Sequence, residues 1–172
     1  SDMNDQMKEG LKKSFELSDF SVKEFNVCDR RNFADAEKLI SNADFIILSG
    51  GHVPTENKFF KEIGLKEKIK NFEGIVIGIS AGTMNCAERV YAQPEEEGES
   101  TDQNYEKFIS GLGLTNINVI PHYQVTKNFI IDGQRLFEDV TYKDSIGEKF
   151  YALVDGSYIY SENGKETLFG EA

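Results

Sequence analysis

Three short segments of the chain are apolar on both faces. They lie at residues 44–48, 74–79 and 117–120, and the middle one reads Gly-Ile-Val-Ile-Gly-Ile. A strand with one face in water alternates apolar and polar residues, whereas a strand covered on both faces is continuously apolar. The pattern therefore predicts three buried strands of a parallel sheet.

Apolar residues at helical spacing occupy much of the chain around these strands. Met7, Leu11 and Phe15 are each four positions apart, so they share one face of a helix. Residues 20–27 alternate weakly and are predicted to form a further strand. Helices are predicted over residues 4–15, 32–41, 54–71, 81–89, 105–110 and 129–141.

The last part of the chain predicts antiparallel pairing. Residues 151–154, 158–161 and 166–169 have the pattern of short strands, and Asn163-Gly164 is typical of a two-residue hairpin turn. Because strands and helices alternate before this point, the fold class is α/β. We expect a three-layer sandwich with a mostly parallel sheet, helices on both faces and a C-terminal antiparallel hairpin.

Composition narrows the class of protein. The 172 residues suit one domain, residues 1–172. A net charge of −11 repels the phosphate backbone of nucleic acids, so we do not expect a general nucleic-acid binder. No apolar run reaches the ~18 residues of a membrane span. Cys28 and Cys86 lack metal-ligand spacing, so we expect no metal, no cofactor and a reduced, cytoplasmic setting. The polar start is unlike a signal peptide, and Ser1-Asp2 before Met3 resembles an expression scar.

The motif that carries most chemistry is Gly-Ile-Ser-Ala-Gly at residues 78–82. It follows a predicted buried strand and precedes a predicted helix, which is the context of a nucleophile elbow. Glycine is needed on both sides because the sharp turn crowds the backbone. The turn raises the Ser80 hydroxyl and leaves the Ala81 N–H free to stabilise an oxyanion. The alternative is a tight turn with an incidental serine.

A serine nucleophile needs a base, and the chain has two histidines. His122 follows the third buried strand and His52 follows the first. Carboxyl ends of parallel strands meet at one edge of a sheet, the edge that also carries Ser80. We favour His122, because the Gly50-Gly51 pair before His52 can instead donate a backbone N–H to an oxyanion. A solvated or structural role is the alternative for either histidine.

Five short segments carry a family resemblance. In chain order they are Ser-Gly-Gly-His at 49–52, Gly-Ile-Ser-Ala-Gly at 78–82, Gly-Leu-Gly-Leu at 111–114, Pro-His-Tyr at 121–123 and Leu-Val-Asp-Gly at 153–156. Together they resemble the peptidase E (aspartyl dipeptidase) and cyanophycinase family of serine peptidases. The resemblance covers most of the chain, from Ala43 to Gly170. It implies a class I glutamine amidotransferase-like fold.

The resemblance also implies a role for each matching residue. Ser80 corresponds to the family's nucleophile, and His122 corresponds to its histidine. Gly51 and Ala81 correspond to the donors of its oxyanion hole. The family's acidic residue is a glutamate in a Leu-Pro-Glu-Gly segment, and Asp155 stands there in this chain. Asp155 would orient His122 through a shorter side chain, although an aspartate before glycine is about equally typical of a turn.

The beginning of the chain departs from the family. Members usually begin with a buried strand that lies centrally in the sheet, whereas this chain starts with a polar helix. We therefore expect a single domain that is either trimmed of this strand or builds its sheet differently. Neighbours of an absent strand lose their ladder partners, so a second copy of the chain, forming a homodimer, is one expected partner.

An acidic segment follows the elbow helix. Four of the five residues in Glu95–Glu99 are glutamates. A solvated charge run is the usual explanation. The alternative is a recognition loop near Ser80 that selects a cationic group such as a substrate amine. Glu97, His52 and Asn85 are accordingly candidate substrate-binding residues. Metal binding is not expected, because no histidine interleaves with these carboxylates.

The leading prediction is a serine hydrolase that acts on a small peptide or another amide substrate. Two alternatives stay open. A glutamine amidotransferase needs an elbow cysteine and a His-x-Glu pair, but the chain has Ser80 and then His122-Tyr123-Gln124. A binding module without activity is allowed by the unusual beginning and by the glutamate-to-aspartate change at Asp155.

Overall fold

The computed structural model describes residues 2–172 and groups the chain into two compact units, whose boundary in the sequence lies between Ala43 and Asp44. The first unit contains the helices predicted over residues 4–15 and 32–41. They are α1 (Asp2–Leu17), a 3₁₀ turn (Phe33–Asp35) and α2 (Ala36–Ser41).

The strand predicted over residues 20–27 is wrong. In the described part of the chain this segment pairs with no strand. Its aromatic residues instead contact α1, with the Phe15 ring centroid 5.5 Å from that of Phe20 and 6.4 Å from that of Phe25. Aromatic rings can pack onto a helix without a neighbouring strand. The weak alternation of residues 20–27 therefore arises from these aromatic contacts and not from a sheet.

The second unit, Asp44–Ala172, contains every strand in the described residues. Its first half comprises β1 (Phe45–Leu48), α3 (Val53–Glu62), α4 (Leu65–Ile69), β2 (Ile75–Gly78), α5 (Ala81–Asn85), β3 (Arg89–Tyr91) and β4 (Phe108–Ser110). Its second half comprises β5 (Asn118–Ile120), α6 (Tyr123–Thr126), β6 (Ile130–Ile131), β7 (Gln134–Arg135), a π-helical turn (Leu136–Thr141), α7 (Tyr142–Asp144), β8 (Phe150–Ala152), β9 (Tyr158–Glu162) and β10 (Lys165–Phe169).

The strands pair two by two. β1 lies parallel to β2 with Phe45 opposite Ile75, and β5 lies parallel to β8 with Asn118 opposite Phe150. Three further pairs, β3–β4, β6–β7 and β9–β10, are antiparallel. The mixed α/β class and the C-terminal hairpin are confirmed. The three-layer sandwich stays a prediction, because the hydrogen-bonded strands form five separate pairs rather than one continuous sheet.

Two predicted helices after the elbow differ from the structure for one reason. The helix predicted over residues 81–89 ends at Asn85, because Leu112 and Leu114 donate backbone hydrogen bonds to the carbonyls of Asn85 and Cys86. The chain then continues as β3. Residues 105–110 were expected to be helical, but β4 pairs with β3 there. Long-range backbone pairing therefore replaces the local helical preference of both segments.

The helix predicted over residues 129–141 begins instead with a hairpin. Asp132 and Gly133 both have positive φ, 49° and 75°, and form the two-residue turn between β6 and β7. Asp-Gly is a recognised turn signal that outweighs the helical spacing here.

The helix predicted over residues 54–71 is divided into α3 and α4 at Gly64, whose φ of 63° is left-handed.

The core of the second unit surrounds the elbow helix. Buried Val53, Ala81, Met84 and Val90 pack together with two further alanines. This cluster joins the beginning of α3 to α5, so apolar burial holds the elbow in place. Across the described residues, no helix has the length and apolar character needed to cross a membrane.

Candidate active site

Ser80 lies in the sharp turn between β2 and α5. Its backbone has φ 53° and ψ −122°, a conformation that is strained for any residue other than glycine. Such a turn lifts the side chain away from the strand and presents its hydroxyl at the end of β2. The strand–turn–helix context predicted for this serine is therefore present.

The glycines that flank the turn are required by close backbone contacts. A Cβ atom at Gly82 would lie 2.1 Å from the Leu48 carbonyl oxygen, and one at Gly78 would lie 2.6 Å from the Thr83 Cα. Real Cβ atoms do not approach other atoms this closely. Any side chain at either position would therefore displace the turn that carries Ser80.

His122 and Asp155 are brought together by the β5–β8 pair. Ile120 lies opposite Ala152, and the ladder continues beyond the strands, because the Tyr123 N–H donates to the Leu153 carbonyl at 2.9 Å. Since the two strands are parallel, the residues that follow them leave at the same edge. This places Asp155 beside His122.

A chain of hydrogen bonds links the three predicted residues. The Ser80 hydroxyl donates to His122 Nε2 at 3.0 Å, and the His122 Nδ1–H donates to Asp155 Oδ1 at 2.5 Å. The His122 side chain is 42% exposed and that of Asp155 is 54% exposed, so a substrate can reach both. A hydroxyl bonded to an imidazole, which is itself oriented by a carboxylate, is an arrangement in which the hydroxyl can act as a nucleophile.

Gln124 supports this arrangement, and sequence reasoning missed its role. Its Oε1 atom accepts the backbone N–H of Asp155 at 3.0 Å. His122 itself has a left-handed backbone, with φ 61° and ψ 31°, immediately before α6. The position of Gln124 two residues after His122 was the only available signal.

The predicted oxyanion donors lie at or just before the beginnings of the two helices beside Ser80. Ala81 is the first residue of α5, and Gly51 lies two residues before α3. A Cβ atom at the neighbouring Gly50 would lie 3.0 Å from the Ser80 Cβ, so the glycine loop directly adjoins the serine. In the described residues, neither the Gly51 nor the Ala81 N–H donates to another backbone carbonyl.

Both ring nitrogens of His52 are hydrogen-bonded, and its side chain is 22% exposed. Its Nε2–H donates to Glu99 Oε1 at 2.8 Å, and its Nδ1 accepts the Thr55 hydroxyl at 2.9 Å. Glu99 also accepts the backbone N–H groups of Glu95 and Glu96 at 2.8 and 3.0 Å. These bonds attach the acidic loop to the residue that follows Gly51. Despite its partial burial, they lower the pKa of Glu99.

Glu95 and Glu97 are both exposed residues of the acidic loop, and the Glu95 carboxyl interacts electrostatically with the His52 and His122 imidazoles. Desolvation raises the pKa of the Glu95 carboxyl, and the nearby His52 and His122 imidazoles oppose that rise. The loop therefore carries a carboxylate close to the Ser80–His122 pair.

Folding brings a histidine to the acidic loop, which its sequence spacing did not suggest. Ligand atoms of His52, Glu96 and Glu99 lie within 4.8 Å of one another, close enough for one cation to contact all three. The hydrogen bond between His52 and Glu99 already satisfies two of the three groups. We assign no metal to them.

Asn85 lies beneath the site rather than in it. Its side chain is 0% exposed and hydrogen-bonds to Asn57, Glu56 and Ala81. This buried network leaves no surface of Asn85 for a substrate. Burial raises the pKa of Glu56 to about 7, although the hydrogen bond from Asn85 opposes the shift.

Comparison with known proteins gives one similar structure and one protein family. The solved structure of a "putative peptidase E protein" from Listeria monocytogenes EGD-e is similar to the chain, with a TM-score of 0.67 over 95% of this chain and 77% of that one. The two sequences are 19% identical, so this likeness concerns the fold. No curated protein matches the sequence. The sequence model of peptidase family S51 matches residues 1–169, nearly the whole chain, and the protein therefore belongs to this peptidase family.

Proposed function

We propose that the protein is a serine peptidase that cleaves a peptide or another amide bond with Ser80, His122 and Asp155. The observation that carries the proposal is the hydrogen-bonded chain from the Ser80 hydroxyl through His122 to Asp155, with distances of 3.0 and 2.5 Å. Membership of a peptidase family supports the same reaction class.

In the proposed reaction, Ser80 Oγ attacks the scissile carbonyl carbon while His122 Nε2 takes the hydroxyl proton. The N–H groups of Gly51 and Ala81 stabilise the negative oxygen of the tetrahedral intermediate. His122 then returns the proton to the leaving amine, and the acyl group stays on Ser80. A water molecule attacks this ester, with His122 again as base, and releases the acid and free Ser80. Asp155 holds the imidazole throughout.

The two alternatives are weaker on specific grounds. An amidotransferase would place a cysteine at position 80 and use the third residue of His-x-Glu to orient its histidine. Here that third residue, Gln124, accepts a hydrogen bond from the Asp155 backbone. A binding module without activity would gain nothing from the strained backbone at Ser80. Strain of this kind costs free energy and is concentrated at active sites, so its presence here favours an enzyme.

Labelling with a fluorophosphonate followed by intact-mass measurement tests the proposal. We expect one adduct on the wild-type protein and none on Ser80→Ala. Ser145→Ala is the matched control, since the Ser145 hydroxyl donates to the Tyr142 carbonyl within its own turn, and it should label like wild type. A folded wild-type protein that forms no adduct would favour the binding module instead.

A further inference from the structure

The two helices that begin at the predicted oxyanion loops meet at one buried side chain. α3 starts two residues after Gly51, and α5 starts at Ala81. Asn85, the last residue of α5, is 0% exposed and lies where the two helices pack together. Its carboxamide is therefore placed to influence both loops.

The hydrogen bonds of Asn85 connect these two loops. Its Nδ2 lies 3.1 Å from the Ala81 carbonyl oxygen and 3.3 Å from the carbonyl oxygen of Val53, the first residue of α3. Glu56 Oε2 lies 3.2 Å from the same nitrogen. The amide group of Asn85 thus contacts Ala81, which supplies one proposed oxyanion donor. It also contacts Val53, two positions after Gly51, the residue that supplies the other donor.

The opposite end of the carboxamide is also fixed. Asn57 Nδ2 donates to Asn85 Oδ1 at 2.8 Å and to the Ser110 carbonyl at 3.0 Å. Three oxygen atoms therefore face the amide nitrogen of Asn85, and one donor faces its oxygen. Among side chains of this shape only asparagine matches that pattern, because a carboxylate would set negative charge against three acceptors.

The apolar core alone does not explain this requirement. Val53, Ala81 and Met84 already hold α3 against α5 by burial. Such contacts are non-directional and permit small rotations of one helix against the other. Two N–H groups converge on one oxyanion only if both loops are held to a fraction of an ångström, and directional hydrogen bonds supply that constraint.

We propose that Asn85 is a positioning residue for the oxyanion hole, holding the Gly51 and Ala81 N–H groups in a geometry that converges on one oxygen. The inference rests on the proposed function, because it assumes that these two groups are the oxyanion donors. Asn85 itself touches no substrate. Asn57 acts one step further away, by fixing the orientation of the Asn85 carboxamide.

Asn85→Asp tests the inference with almost no change of shape. Thr141→Val is the matched control, because Thr141 is buried like Asn85. The substitution removes the hydroxyl that accepts a hydrogen bond from Gln93 at 2.7 Å, and this bond involves neither α3 nor α5. Both variants are expected to lose thermal stability. Fluorophosphonate labelling should slow about 100-fold in Asn85→Asp, chiefly in the maximal labelling rate, and less than threefold in Thr141→Val.

A second readout separates the inference from the proposed function. In ¹H–¹⁵N spectra, the Gly51 and Ala81 amide signals should shift or broaden in Asn85→Asp and stay in place in Thr141→Val. If the wild-type protein is not labelled at all, the proposed function fails, and these signals still decide whether Asn85 positions the two amides.

Unchanged Gly51 and Ala81 signals in a folded Asn85→Asp variant would overturn the inference. Labelling as fast as wild type would do the same.

Should the Asn85→Asp variant not fold, Asn57→Ala is measured in its place. It leaves every Asn85 contact with the two loops intact but removes the donor that orients the carboxamide. It should slow labelling about tenfold and shift the same two amide signals, and the absence of both effects would equally overturn the inference.

Discussion

Gln124 Oε1 accepts the backbone N–H of Asp155 at 3.0 Å, so the residue two positions after His122 also fixes the carboxylate that His122 contacts. Backbone hydrogen bonds hold the turn on either side of Asp155, because Leu153 pairs with Ile120 and Tyr123, and the Ser157 N–H donates to the Val154 carbonyl. The His122–Asp155 distance of 2.5 Å leaves little tolerance for movement of that turn.

We expect Gln124→Ala to reduce the rate of fluorophosphonate labelling about 10- to 100-fold, because a small displacement of Asp155 weakens the orientation of His122. Gln124→Glu keeps an oxygen acceptor and should recover most of the rate. Gln134→Ala is the control, as Gln134 donates to Ser100 instead. Equal rates for wild type and Gln124→Ala would show that the turn is rigid without the glutamine.

Asp155 is expected to contribute through its charge and its acceptor atom. Asp155→Asn keeps the size of the side chain but can set the His122 imidazole in the wrong tautomer. The labelling rate should fall by about 10²- to 10⁴-fold, with little change in melting temperature because the residue is 54% exposed. A loss below threefold would mean that Asp155 is an ordinary turn residue and that another group orients His122.

Local patterns predicted much of the region around Ser80. Continuous apolar runs identified β1, β2 and β5 because strands covered on both faces need them. The strand-end position of His122 followed from the parallel arrangement of those strands. The flanking glycines, Gly78 and Gly82, could be anticipated because any nucleophile elbow crowds its neighbours. The roles of these residues in catalysis stay predictions.

Long-range contacts explain what the sequence did not reveal. The bond between His52 and Glu99 joins residues 47 positions apart, and nothing in the spacing of either residue indicates it. Asn85 was a candidate substrate-binding residue by sequence, and its burial follows from the packing of α3, which places Asn57 and Glu56 around it. Pairing of this kind depends on tertiary structure, which local preference does not encode.

Glu95 is expected to favour substrates that carry a positive charge near the scissile bond, because its carboxylate lies close to His52 and His122. Glu95→Gln should raise the KM for a cleaved small peptide with a free amine about twofold to fivefold, the size typical of an exposed charge pair. The N-acetylated form of that peptide should be unaffected. Glu97→Gln is the matched control, and an equal rise in KM for it would indicate only a general effect of loop charge.

Glu56 is expected to make the protein less stable as the pH rises through neutrality. Burial raises its pKa from the ordinary 4.5 to about 7 in the folded protein. Between these two values the folded state holds a proton that the unfolded state has released, so the free energy of unfolding falls with increasing pH. Above about pH 7 both states are ionised, and the full cost of burying the carboxylate beside the Cys86 thiol is present.

Glu56→Gln removes this cost while keeping an oxygen that can accept from Asn85 Nδ2. At pH 8 the variant should unfold with a free energy about 1–3 kcal/mol above that of wild type, and at pH 4.5 the two should be equal. Urea denaturation across this range measures the difference. The exposed Glu67, changed to glutamine, is the control and should leave the pH dependence as in wild type. A Glu56→Gln variant that is less stable than wild type at pH 8 would mean that the ionised carboxylate strengthens the Asn85 network, and the shift in its pKa would then have the opposite sign.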